Sequence, residues 1–312
     1  MSRRRRSKPL PPARRGPPDP AAPPSLYELD TFSLRDLHRW KRASAQLDEL
    51  HRELYFGLEP QRVAIREELL QCLRASASAP VEIDGWIRLV DCQYCLDPLS
   101  ARGSTARYGG RFNIGREVGE GAFGSFPALY IARDLETAIR EYFNIESMRV
   151  PAGLSREELA LKQPGSFLAT EVHGRLTVAF DVSNVASLRP FAALIRHFKV
   201  PPRVQQIARE LSLRPAGLVR TAEQLQRTLT ARNWRAWPVQ LDVPANSQVF
   251  GRLLCDAGFE AVTYASAKNG QPCVAVFPGN LRHSNSFVAL SGTYPHAVSV
   301  ARLDATTASE CV

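Results

Sequence analysis

Arg88, Arg111, Tyr130, Glu141 and Ser266 are the residues of this chain whose types could do chemistry together. A planar guanidinium matches phosphate oxygens through two parallel hydrogen bonds, so two arginines suit a pyrophosphate. A tyrosine offers an aromatic face for a nicotinamide-like ring, plus a hydroxyl. A carboxylate can stabilise an oxocarbenium-like ribose while its glycosidic bond breaks, or orient the incoming nucleophile. Taken singly, each residue has an ordinary structural reading too. Glu141 stands at the edge of the stripe Leu135, Ala138, Ile139 and Tyr142, where a surface glutamate is common, and Tyr130 lies inside an apolar strand. Arg88 could face solvent from a strand, Gly109-Gly110 could be a plain turn, and Ser266 could be a strand-end polar residue.

A second feature invites a different chemistry. Gly119, Gly121 and Gly124 of VGEGAFGS make a G-x-G-x-x-G, the pattern that covers ATP phosphates in kinases. A kinase also needs a lysine on the following strand, an H-R-D and a D-F-G. The strand ALYIA has no lysine, the HR pairs at His38 and His51 precede the loop without an Asp, and no D-F-G occurs. A dinucleotide-binding turn fails as well, because no apolar strand precedes the glycines and Phe126-Pro127 follows where a helix would start. Cys92 and Cys95 form a C-x-x-C, but the other four cysteines are scattered singly and the pair runs into Leu-Asp-Pro. That spacing fits neither a zinc ribbon nor a redox helix, and the histidines show no ligand spacing, so no metal is expected. Trp234 and Trp237 bracket Arg235, which reads as a core or strand-edge anchor rather than a base-stacking platform.

The order and surroundings of the chemical residues do carry a resemblance. WIRLV with Arg88, DPLS (97–100), ARYGGRFN with Arg111 and Asn113, PALYIA leading to Glu141, FDVSNVASL, and GFEAVTYAS with Ser266 followed by VAVFPGNL together resemble a RES domain over roughly residues 84–282. The resemblance implies an ADP-ribosyltransferase-like α+β fold and consumption of NAD as substrate. Nicotinamide would be cleaved from ribose, with ADP-ribose passing to water, phosphate or a protein. It also implies the toxin role of a toxin–antitoxin pair, with a small DNA-binding antitoxin as partner. Arg88 and Arg111 would then hold the phosphates and ribose, Tyr130 the nicotinamide end, and Glu141 the ribose as the catalytic carboxylate. Ser266 would complete the site near the nicotinamide ribose, and Asn113 with the backbone of Gly109 and Gly110 would line the same pocket. VGEGAFGS, longer than the link expected there, reads as a mobile loop at the mouth of that pocket. The competing reading is a non-catalytic interaction protein that uses a RES-like scaffold, its basic tail and helices binding a partner or nucleic acid. Keeping all five polar groups together favours the enzyme.

These residues need elements to position them. Strands are expected at GWIRLV (85–90), ALYIA (128–132), LTVAFDV (176–182), FEAVTYAS (259–266) and CVAVFP (273–278). Asp134 is placed to cap a helix through DLETAIREYF, and a further helical stretch runs over roughly 190–230. Strands with helices in no strict alternation give an α+β class with a mixed sheet. Ahead of them, Leu34, Leu37, Trp40, Leu47, Leu50 and Leu54 recur at helical steps, and Pro60 is read as opening another helix through Leu73. The expected organisation is a disordered basic Pro-rich tail (1–24), a helical N-terminal subdomain (25–80), an NAD-binding catalytic domain (81–305) and a C-terminal tail (306–312).

Charge follows the same division. Of the net +9, the first 24 residues carry +6, from six Arg and one Lys against one Asp. Such a segment gives at most weak, non-specific contact with nucleic acid. The tail has no apolar core like a secretory signal and no stretch is apolar enough to span a membrane, so a cytoplasmic location with reduced thiols is expected. An oligomer is left open by the sequence.

Overall fold

The computed structural model describes residues 34–118, 123–144, 167–214, 217–281, 285–292, 294 and 296–312. The basic tail and the centre of VGEGAFGS (119–122) lie outside the described residues. Contacts divide the chain into two compact units, Met1–Gln46 and Leu47–Val312, with the division inside the first helix, α1 (Leu34–Ala64). Of the first unit, only residues 34–46 of α1 are described, and Trp40 there is half exposed. Everything below concerns the second unit.

Pro60 does not open a helix: it sits inside α1, and the break falls at Ile65, before α2 (Arg66–Arg74). A proline removes only one N–H, and the ring is tolerated where the surrounding turns are held by packing. Leu69, Leu70 and Leu73 of α2 are fully buried in the main core rather than in a separate helical one.

Seven strands follow the apolar runs closely: β1 (Ala79–Asp91), β2 (Leu129–Ala132), β3 (Phe167–Asp181), β4 (Ala261–Ala265), β5 (Pro272–Val276), β6 (Phe287–Leu290) and β7 (Arg302–Leu303). The pairings run β1–β2–β5–β4–β3 and return from β3 to β1, so five strands close on themselves while β6 and β7 extend from β3. All pairs are antiparallel except β3 with β4. With the helices, this is the mixed-sheet α+β class.

The helices are α3 (Leu135–Phe143), α4 (Val185–Ile195), α5 (Pro202–Glu210), α6 (Ala222–Leu229), α7 (Ala236–Gln240) and α8 (Asn246–Ala257). Strand alternation sorts side chains into two cores. Leu129, Ile131, Ala261, Val274 and Val276 face one core, together with Leu176. Ala132, Val262, Tyr264, Cys273 and Ala275 face the other, which the helices cover, and Tyr130 packs against it. That alternation brings polar and aromatic side chains of β2, β4 and β5 to the helix side of the sheet. Tyr130 pairs with Ala275, and Tyr264 with Cys273. Among the described residues, no helix is long and apolar enough to cross a membrane.

Candidate functional site

A cleft of about 260 Å³ opens on the helix side of β1 and β2. Arg88, Gly109, Gly110, Arg111, Tyr130 and Glu141 all line it, although up to 53 positions separate them in the chain. Each is brought there by a different local device.

The G-G-R-F-N turn follows a pair of short turns, and its path depends on glycine. Gly109 has φ +84°, and a side chain there would meet the carbonyl of Asn113 at 2.4 Å. A Cβ at Gly110 would lie 2.4 Å from the Tyr130 hydroxyl. Both glycines therefore serve close packing, and they leave backbone on the cleft wall. Asn113 is not on that wall: it is fully buried behind it. Its Oδ1 accepts from the Gly110 N–H and from the Tyr130 hydroxyl, both at 2.8 Å, and its Nδ2 donates to the Phe126 and Ser104 carbonyls. Asn113 thus organises the turn instead of touching a ligand. Gln248 of α8 completes the arrangement, with Nε2 within 3.0 Å of the carbonyls of Tyr108, Gly110 and Asn113.

The turn presents Arg111 into the cleft, where the residue is only 4% exposed. Its Nη1 donates to the Ala231 carbonyl at 2.9 Å and, more weakly, to that of Leu229. The guanidinium lies 5.7 Å from the Trp234 ring centre and 5.9 Å from that of Tyr264. Its buried Nε has no partner, a donor left for something that enters the cleft. Arg88 is more fully engaged by the protein, with Nε, Nη1 and Nη2 donating to the carbonyls of Pro98, Tyr130 and Ser100. Burial pushes it down to about 10, still charged at neutral pH. Tyr130 likewise spends its hydroxyl on the protein, accepting from the Phe112 N–H and donating to Asn113. Burial holds this phenol far above its ordinary range, so the ring face is what it offers.

Glu141 rides on α3. Asp134 caps that helix, accepting from the Thr137 N–H at 2.8 Å, a device worth about 1 kcal/mol. Asn269, in the turn between β4 and β5, donates to Thr137 Oγ1 and ties the helix start to the sheet. Near the other end, Ser266 Oγ donates to Glu141 Oε1 at 2.5 Å. Ser266 is 3% exposed and lies behind the cleft wall, so it reaches a ligand only through Glu141. Its own hydroxyl accepts from the Lys268 N–H, and its backbone is held by Gln271 and Gly270.

Several cleft residues do not stand out by type or spacing. Trp234 is the buried anchor expected, and it is also a platform: the Arg235 guanidinium sits 4.8 Å from its ring centre. Arg235 Nη2 approaches the Glu141 carbonyl at 3.5 Å and lines the cleft. Burial lowers its pKa, with the Glu141 charge opposing. Tyr142 and Tyr264 add two phenols that burial keeps protonated, and burial does the same for the Cys273 thiol. Three guanidinium groups (Arg88, Arg111, Arg235) thus face two carboxylates (Glu141, Asp91) around an aromatic-walled cleft. Such a balance suits an anionic, ring-bearing ligand.

Val118 and Phe123, at the two ends of the glycine-rich segment, are buried in the helix-side core. Cys92 opens a short 3₁₀ turn after β1, and all six cysteines are free. Among the described residues, no three His, Cys, Asp or Glu side chains gather as metal ligands.

Comparison with known proteins adds a family and one solved structure. The family model of the RES domain matches residues 86–296. A crystal structure of the M. tuberculosis MbcT–MbcA toxin–antitoxin complex contains a chain 15% identical to this one. The alignment covers 74% of this chain and 93% of that one, with a TM-score of 0.40. No curated protein matches significantly.

Proposed function

Because the chain belongs to the RES domain family, we propose that it is an enzyme that consumes NAD, breaking the bond between nicotinamide and ribose. The observation that carries this reading is the Glu141 carboxylate, held by Ser266 on the wall of a cleft that three arginines and several aromatic rings share. Nothing structural requires a hydrogen-bonded carboxylate to face such a cavity. A reaction that builds positive charge on a ribose does require one.

In the proposed reaction Arg111 and Arg235 hold the pyrophosphate, and Arg88 fixes the wall behind it. The face of Tyr130 takes the nicotinamide end. The C1′–N bond breaks with its electron pair passing to the nicotinamide nitrogen, which loses its positive charge and leaves as neutral nicotinamide. Positive charge then develops at C1′, next to Glu141, whose carboxylate stabilises it. An acceptor oxygen (water, phosphate or a protein side chain) forms the new bond to C1′ and releases its proton to solvent or to Glu141. The chain would act in a reducing compartment such as the cytoplasm, in keeping with six free cysteines. Family membership supports the role of toxin, with a small antitoxin covering the cleft.

The test is incubation of the full chain with NAD, with and without phosphate, and identification of products by mass spectrometry. Nicotinamide plus ADP-ribose, its 1″-phosphate or a modified protein would support the reading and name the acceptor. A folded chain that leaves NAD intact under all these conditions would favour the scaffold reading.

A further inference from the structure

A second cavity, of about 190 Å³, lies among the helices on the far side of α6 from the cleft. Its walls are Leu58 of α1, Leu69 of α2, Phe191 of α4, Leu225 of α6 and Phe250 and Leu253 of α8. Close-packed interiors seldom keep a space of this size, and one of about 150 Å³ already admits a six-carbon ring. The lining is almost wholly apolar, with one exception aimed into it. Tyr55 is 3% exposed, lines the cavity, and its hydroxyl is buried without a hydrogen-bond partner. A buried phenol left unpaired is costly, and native proteins seldom keep one.

Charge at the rim restricts what could satisfy it. Arg62 stacks over the Tyr55 ring, 4.7 Å from its centre, and donates to the Tyr55 carbonyl. Glu59 lies close enough to act on both Tyr55 and Arg62. The rim is therefore already balanced, so an incoming charge would meet the opposing member of that pair. Burial pushes the Tyr55 phenol up to about 12, which keeps its proton in place as a donor.

We infer that this cavity is a binding site for a small neutral molecule with an apolar body of about one ring and a single carbonyl oxygen, which accepts the Tyr55 hydroxyl proton. Nothing in the NAD reading requires the site, and it is tested without NAD. Gly217 lines the cavity and a Cβ there would touch nothing, so a larger side chain can enter the space without displacing its neighbours.

The experiment is calorimetric titration of the full chain with acetophenone, toluene and benzoate. Acetophenone should bind at about millimolar concentration or tighter, and more tightly than either control. Tyr55→Phe keeps the ring and loses only an unpaired hydroxyl. It should melt at or above the parent temperature, bind acetophenone about tenfold more weakly, and bind toluene unchanged. Gly217→Leu should abolish binding of both neutral probes. The proposal is overturned if acetophenone does not bind, if Tyr55→Phe binds it as the parent does, or if benzoate binds more tightly.

Discussion

Ser266 at the end of β4 and Glu141 in the last turn of α3, 125 positions apart, are joined by a 2.5 Å hydrogen bond from the serine hydroxyl to Glu141 Oε1. This contact makes the β4–β5 turn part of the candidate active site. Oε1 is committed to Ser266, which fixes the direction in which the carboxylate faces the cleft. Ser266 is accordingly a positioning residue. A hydrogen bond to a charged group contributes about 1.5–3 kcal/mol, so Ser266→Ala should lower kcat for NAD by about tenfold to a hundredfold. KM should stay near the parent value, and Ser266→Thr should recover part of the loss. A rise in KM with unchanged kcat would mean that the serine touches substrate instead.

Arg111→Lys tests the phosphate assignment. Lysine carries the charge but not the fork that holds the Ala231 carbonyl while offering Nε to the cleft. NAD affinity, read by calorimetry, should fall about tenfold, a loss of about 1.4 kcal/mol.

Arg235→Gln should also weaken NAD binding, by a smaller factor that shrinks as salt rises, since this guanidinium is less buried than that of Arg111. Its removal leaves Trp234 packed, so the melting temperature should move by only a few degrees. Equal NAD affinity at low salt would remove Arg235 from the site.

Gly110→Ala should destabilise the fold, because its Cβ would sit 2.4 Å from the Tyr130 hydroxyl and 2.5 Å from its ring. Overpacking of this kind costs about 1–3 kcal/mol, visible as a lower urea midpoint with an unchanged slope.

Much of the scaffold could be read from local pattern. The strands at 85–90, 128–132, 259–266 and 273–278 and the Asp134 cap occur where alternation and capping chemistry place them. The short strands β6 and β7 could not, because each is defined by the partner it adds to rather than by its own residues. Pro60 misleads for a related reason: a helix held by tertiary packing accepts a proline that local rules would place at its start. At the site, residue types pointed to Arg88, Arg111, Tyr130 and Glu141, and all four reach the cleft. Their division of labour was not legible. That Asn113 and Ser266 stand behind the wall, or that Gln248 clamps the glycine turn, depends on partners more than a hundred positions distant in two of the three cases. Arg235 gave a weak signal through its flanking tryptophans, which are equally good as core anchors.

The central claim is that Glu141 does the chemistry on NAD, and the most direct measurement is NAD turnover by the parent beside Glu141→Gln. The glutamine can still accept from Ser266, so fold and NAD affinity should be kept while kcat falls by about 10²-fold or more. A Glu141→Gln protein that consumes NAD at the parent rate would contradict the account.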